Sequence, residues 1–453
     1  MTERLVVIGG DAAGMSAASQ ARRRRPADDL EVIVFERSGW VSFSACGEPY
    51  YIAGEVAELE SLLARRPEQF AADGIDVRIH HEVVAIDPGA GTVEVRSPNG
   101  SSTFGYDHLM YATGAKPILP EIRDADARGV FTLRTLDDAA AIRAAAHGAT
   151  KAVVVGGGYI GIEVAEAFHG LGIATTIVTS GDTVMNRALD GDIGRIATHL
   201  ISAQGVEVRP GIRVRCLVDR DGEVIGVEAD DDIVPADLVV IGVGASPEVA
   251  LAREAGVAIG PTGAIAVDDR QRTSVDGIWS AGDCAEARHL VSGLPVNTQL
   301  GTVANKQGRV AGINLGGGEA RFPGVLGTAI TRFGTTEIGR TGLSEKQASD
   351  AGIPHVAGSV ESSTIAGYMP GATPMVIKAL CEDRTGRLIG AQIVGGPGSG
   401  KRIDTLATAI WAGLGGHDLA MADLSYAPPF SGAWDPVMIA ARRAADRALG
   451  ITT

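Results

Sequence analysis

The strongest constraint on this chain is a pattern that it carries twice. "RLVVIGG", "DAAGMSAASQARRRR" and "LEVIVFE" follow one another between Arg4 and Glu36. They read as a buried strand, a glycine turn opening a helix, and a second buried strand. Residues 151–180, "KAVVVGGGYIGIEVAEAFHGLGIATTIVTS", repeat that order. Apolar runs joined by a crossover helix pair as parallel strands, which need cover on both faces. The chain is therefore predicted to be α/β, with two Rossmann-like dinucleotide-binding units opened by Gly9 and Gly156.

Each unit also has a matched exit. "YDHLMYATGAKPILP" ends a strand in a glycine turn followed by Pro117 and Pro120, and "ADLVVIGVGASPEV" does the same with Pro247. Paired exits predict one nucleotide domain inserted in another. The first unit is expected over 1–118, the second over 119–247, and the first resumes over 248–324 with "GAIAVDDRQRTSVDGIWSAGDCAE". From about residue 325 the texture changes to strands ("HVAGSVESS", "PMVIKALCEDRTGRLIGAQIVGG") and then a helix ("RIDTLATAIWAGL"). A separate α+β domain over 325–453 follows.

Bulk properties narrow the class. A net charge of −15 over 453 residues argues against broad nucleic-acid binding, which needs a basic footprint. Four cysteines (Cys46, Cys216, Cys284, Cys381) do not make a secreted disulfide framework. No basic-apolar leader and no apolar run of membrane-spanning length is evident, so a cytoplasmic protein with reduced thiols is expected.

The glycine turns suggest cofactors. In "VIGGDAAG", Gly9 and Gly14 keep the outer fingerprint positions, while Asp11 replaces the middle glycine and alters the pyrophosphate approach. Glu36, 27 residues after Gly9, ends the second strand where a carboxylate accepts hydrogen bonds from an adenosine ribose. The second fingerprint, Gly156, Gly158 and Gly161, is complete. Its second strand ends in Thr179 and Ser180 where a carboxylate would favour NADH. Two hydroxyls there lean toward NADPH, with Arg187 the nearest arginine. Asp283, after a strand and a glycine, reads either as a polyol ligand or as a plain helix cap.

Together these segments resemble the flavoprotein disulfide reductase family, from the FAD fingerprint through "YATGAKP", the NAD(P)H fingerprint, "SAGDCAE" and "ANKQGRVAG" to a C-terminal dimerisation domain. The resemblance implies a glutathione-reductase-like fold and a homodimer. It places Gly9, Ala12, Ala13, Gly14, Glu36 and Arg37 around FAD, with Val83, Ala112, Thr113, Gly114, Gly282, Asp283 and Ala304. It places NADPH or NADH on Gly156, Gly158, Tyr159, Ile160, Gly161 and Glu163, with Thr179, Ser180 and Gly244.

The stretch "SFSACGEPYYIAG" is similar to the single-cysteine branch, which holds coenzyme A disulfide reductases and NADH oxidases and peroxidases. The dithiol members carry a second cysteine five positions away; here those positions are Val41 and Tyr51. By the resemblance Cys46 is the redox-active residue, forming a mixed disulfide with a small thiol, and Tyr368 and Tyr426 of the other subunit assist it. A thiolate beside oxidised flavin and a helix N-terminus is expected to have a depressed pKa. Ser16, Gln20, Arg23 and Ser42 fall at substrate-contacting positions. The four arginines at 22–25 can equally complement a helix C-terminus.

Three departures bear on the substrate. Peroxidases of the branch carry a histidine where this chain has Ala12. Ala45 replaces the asparagine that usually precedes the cysteine, and Trp434, near Phe430, stands where relatives tend to have a phosphate-binding lysine. The relatives' rhodanese domain is not expected here, and no metal site is. The implied activity is NAD(P)H-dependent reduction of a small-molecule disulfide, with oxygen reduction or electron donation to another acceptor as the alternatives.

Overall fold

The computed structural model describes residues 2–123, 125–230 and 232–451. Its first sheet has five parallel strands in the order Ile278–Ser280, His108–Tyr111, Glu3–Ile8, Leu30–Phe35 and Ile75–Arg78. Leu5, Val6 and Val7 have no exposed surface. Burial on both faces is what an unbroken apolar run requires. A second parallel five-stranded sheet runs Glu207–Arg209, Ala174–Val178, Lys151–Val155, Leu238–Ile241 and Val130–Phe131. The α/β class with two dinucleotide-type sheets is the one the repeated pattern predicts.

The two matched exits meet. Ala115–Pro117 pairs antiparallel with Ala245–Pro247, so both connections between the sheets run through one two-stranded ribbon. The C-terminal unit is a five-stranded antiparallel sheet, Ala329–Phe333, Thr336–Gly342, Leu388–Gly395, Pro374–Glu382 and His355–Ser363. Helix Pro436–Ala448 packs a face of Ala440, Ala441, Ala444 and Ala445 against its last two strands.

Helix Gly301–Leu315 returns to the first unit and lies on helix Ala12–Arg22. The approach is close because of two glycines. A Cβ on Gly308 would stand 2.2 Å from the Ala13 carbonyl oxygen, and one on Gly312 would stand 2.3 Å from that of Ala17. The arginine run is divided between tasks. Arg22 donates to the carbonyls of Gly74, Arg25 and Leu30, while Arg25 pairs with Glu3 and Asp29. Among the described residues no helix is long and apolar enough to cross a membrane.

Candidate active site

The two glycine turns have the same geometry. Gly9 has φ +102°, and a Cβ there would lie 2.2 Å from the Ala112 oxygen. Gly156 has φ +120°, and a Cβ would lie 2.3 Å from the Gly242 oxygen. Gly14 and Gly161 each leave 2.0 Å between a would-be Cβ and the oxygen of the opening glycine. Only glycine fits at any of the four without moving backbone. The middle positions differ. A Cβ on Gly158 would meet nothing within 4 Å, whereas Asp11 is engaged, its Oδ1 accepting from the Phe43 amide at 3.1 Å.

That bond, with the Ser42 amide donating to the Gly10 carbonyl at 2.8 Å, pins the cysteine loop onto the first turn. Ser42 adopts φ +50° to make the reversal. Burial pushes the Asp11 carboxyl up to about 6. Glu36 is held by backbone: Oε2 accepts from Gly10 at 2.9 Å and Oε1 from Ser38 at 2.8 Å. Arg37 is exposed, and Val83 lies in the core behind the sheet.

The remaining residues expected around FAD converge on the same end of the sheet. The Ala112 carbonyl faces Gly9, and Thr113 donates its hydroxyl to the Glu248 carbonyl at 2.7 Å. Gly114 (φ +71°) leaves space filled by Arg134, which reaches on to Asp283 at 2.9 Å. Gly282 donates its amide to Gln307 Oε1 at 2.9 Å, and a Cβ there would meet those of Ala13 and Ala304 at 2.9 and 3.6 Å. Ala12 opens the helix beside them.

At the second turn Tyr159, Ile160 and Glu163 lie on helix Tyr159–Gly170, with Ile160 exposed. Burial pushes the Tyr159 phenol up to about 12. Thr179 is buried, its hydroxyl accepting weakly from Gly181 at 3.4 Å, and Ser180 is exposed. Arg187 reaches the turn at Gly244 (φ +120°), its Nη1 4.0 Å from a would-be Cβ there.

Cys46 is exposed on the one-turn segment Ala45–Gly47 that leads into helix Glu48–Ile52. The protein groups alone do not supply the depressed pKa expected of a thiolate beside flavin. Desolvation pushes the thiol up, and the acidic side chains of Glu163, Glu48 and Asp283, once ionised, push it further. The helix that follows spans only five residues, too short for a strong dipole, and it opens with a carboxylate. The protein groups by themselves thus favour the thiol over the thiolate. Glu163 accepts from Thr331 Oγ1 at 3.0 Å, and burial pushes it up to about 7.

Tyr368 and Tyr426 are near neighbours, desolvation and Tyr426 pushing the Tyr368 phenol up, and both are exposed, by 75% and 52%. Phe430 and Trp434 are exposed beside them in sequence. Ser16 donates to Asn305 at 2.8 Å, and Arg23 is exposed. Gln20 is buried, with its Oε1 taken by Arg24 at 2.7 Å. Cys284 and Cys381 are buried. Sequence reasoning missed Arg134, Glu48, Gln307 and Thr331. Only Glu48, two residues after Cys46 in a proline-started helix, left a local trace.

A family model described as pyridine nucleotide-disulphide oxidoreductase matches residues 3–308, and one for the dimerisation domain of that family matches 328–437. The chain is 39% identical over 445 residues to an NAD(P)H coenzyme A polysulfide/persulfide reductase of Pyrococcus horikoshii, covering 98% of each. It is 33% identical over 445 residues to an NADH oxidase of Methanocaldococcus jannaschii, covering 97% of this chain and 98% of that one. Among solved structures, a NAD-dependent persulfide reductase from A. fulgidus superposes with a TM-score of 0.94 at 39% identity, over 98% of this chain and 83% of that one. With two glycine turns of one geometry, a lone thiol between them and these matches along its length, the chain belongs to the pyridine nucleotide-disulphide oxidoreductase family.

Proposed function

We propose that the chain is an FAD-dependent NAD(P)H oxidoreductase that reduces a low-molecular-weight disulfide or persulfide, of coenzyme A or a similar thiol, through Cys46. One observation carries the reading. The exposed Cys46 thiol lies on the loop that Asp11 pins to the first glycine turn, and the helix that follows it packs on helix Tyr159–Gly170 of the second turn, which places Cys46 beside both turns. In this reading 1–118 and 248–324 hold FAD, 119–247 hold the nicotinamide nucleotide, and 325–453 pair two subunits.

The residues fit both cofactors. The glycine cradles allow backbone to approach a pyrophosphate, the space at Gly158 is open, and Glu36 and Asp283 are the polar groups for ribose and ribityl hydroxyls. A bound flavin supplies a two-electron relay from the nicotinamide hydride to sulfur. The chain's own residues do the rest. Cys46 attacks one sulfur of the incoming disulfide and holds the mixed disulfide. Tyr368 and Tyr426, exposed on the dimerisation unit, serve the Cys46 of a partner subunit by protonating the departing thiolate. That division of labour makes the homodimer the working unit, and the apolar surface of Met421, Phe430 and Trp434 suits such an interface.

The test is anaerobic reduction by NADH or NADPH, then reoxidation with coenzyme A disulfide, other small disulfides, a persulfide and oxygen. Cys46→Ser is expected to keep its flavin and accept hydride, while disulfide turnover falls to background. Undiminished disulfide turnover in that variant ends the proposal. Oxygen reduction is the second reading, favoured by the NADH oxidase relative, and the oxygen arm separates the two.

A further inference from the structure

Glu48 is a carboxyl for which the cycle above has no use. It opens a five-residue helix two positions after Cys46, and it is 3% exposed. Its Oε1 is buried without a hydrogen-bond partner among the described residues. A buried carboxylate oxygen in that state is costly, so the charged form is disfavoured. Three groups face it: Arg134, Asp138 at the start of helix Leu136–Ala146, and Asp11 of the first glycine turn. The one cation is committed elsewhere, Arg134 to Asp283 at 2.9 Å. Asp138 accepts from the amides of Arg134 and Thr135, at 3.0 and 2.9 Å. Cys46 lies two residues before it, on the turn that leads into the same helix as Glu48, and its thiol is raised by desolvation and by Glu163, Glu48 and Asp283.

We propose that Glu48 is a positioning acid for Cys46, kept protonated so that the thiolate does not share its desolvated pocket with one more carboxylate. This rests on the reading of Cys46 above. There, an electron pair from the reduced nicotinamide breaks the sulfur–sulfur bond of the Cys46 mixed disulfide. One sulfur stays on Cys46 as the thiolate; the other leaves and takes one proton. The Glu48 proton does not move in this step, and by staying it keeps the pocket one charge less negative. Burial pushes the Glu48 carboxyl up to about 8, so it is neutral at physiological pH and ionises just above. Once ionised it opposes the thiolate, and Cys46 becomes harder to deprotonate.

Two measurements on the holoenzyme test this. Near neutral pH the infrared spectrum should contain a protonated-carboxyl stretch that Glu48→Gln lacks. In the NADH-reduced protein, iodoacetamide alkylation at Cys46, followed by mass spectrometry, should have its pH midpoint lowered in Glu48→Gln. The expected shift is about one pH unit, which is about tenfold more thiolate at a pH below both midpoints but above the ionisation of Glu48. No lost carboxyl band, or an unmoved or raised midpoint, overturns the proposal. Should Glu48→Gln fail to hold flavin, carbon-13 glutamate labelling of Glu163→Gln keeps the test open. A label-shifted acid band must persist there at neutral pH, and its absence also overturns the proposal. The infrared band involves no sulfur chemistry, whereas Cys46→Ser turnover does, so inference and functional reading fail separately.

Discussion

Gly9 and Gly156 occupy the same left-handed turn in two different sheets, which makes them a controlled pair. Either one changed to alanine drives a Cβ into a carbonyl oxygen, at 2.2 or 2.3 Å, from a backbone conformation that L side chains avoid. Gly156→Ala should therefore keep its flavin and weaken nicotinamide binding at least tenfold, read as the Kd for NADH. Gly9→Ala should instead be purified with little flavin, read from its visible absorbance. These glycines were legible in the sequence because their requirement is local, a turn and a tight helix start. Arg134 was not legible, since it acts on Asp283 across 149 positions and lies in no motif. The acidic surroundings of Cys46 were not legible for the same reason: two of the three acidic side chains around it, Glu163 and Asp283, come from distant parts of the chain.

Helix Gly301–Leu315 shows how packing overrides propensity at the scale of an element. Alanine is a better helix former than glycine by about 1 kcal/mol, so Gly312→Ala would stabilise an isolated helix. In the fold its Cβ would stand 2.3 Å from the Ala17 oxygen, on the helix that the first glycine turn opens. Overpacking of that kind costs about 1–3 kcal/mol, so the clash wins. Gly312→Ala is expected to lower the Tm by several degrees and to release flavin more readily, measured by thermal unfolding followed through flavin fluorescence. The strands and helices themselves were readable from apolar runs and glycine turns. The helix-on-helix contact was not, because nothing in "ANKQGRVAGINL" names the surface its glycines lie on.

For the whole molecule, the joint between the nucleotide unit and the C-terminal sheet combines a shared apolar core, Phe168 and Ile193 with Phe333, Ile338 and Val394, with a buried ion cluster. Lys378 is 3% exposed and reaches Asp190, Asp192 and Glu345 at 3.2, 3.0 and 2.5 Å. Lys378→Met leaves three carboxylates facing one another, and losing one partner of a buried ion pair costs about 3–5 kcal/mol. A urea midpoint lowered accordingly checks it; an unchanged midpoint would show the joint to be held by packing alone. Stability should also fall with rising pH. Asp11, Glu48 and Glu163 are raised by burial to about 6, 8 and 7, so the folded chain binds more protons than the unfolded one. That stabilisation is fully present below their ordinary values of 3.8 and 4.5, and it is lost as pH rises through the raised ones. The Tm of the flavin-free chain is expected to decline from weakly acidic to alkaline pH, with a flatter profile in the Glu48→Gln, Glu163→Gln double variant.

The ribbon of Ala115–Pro117 and Ala245–Pro247 brings the entrance and the exit of the second sheet's unit side by side. Neighbouring strands lie only about 4.8 Å apart. Everything between them is thus a cassette: cut out at the ribbon, it leaves two ends that a two-residue turn can rejoin, with the first sheet's strand order undisturbed. The same adjacency lets a unit of different nucleotide preference be spliced in at that point, provided that it keeps the surfaces it shares with the cysteine helix and the C-terminal sheet.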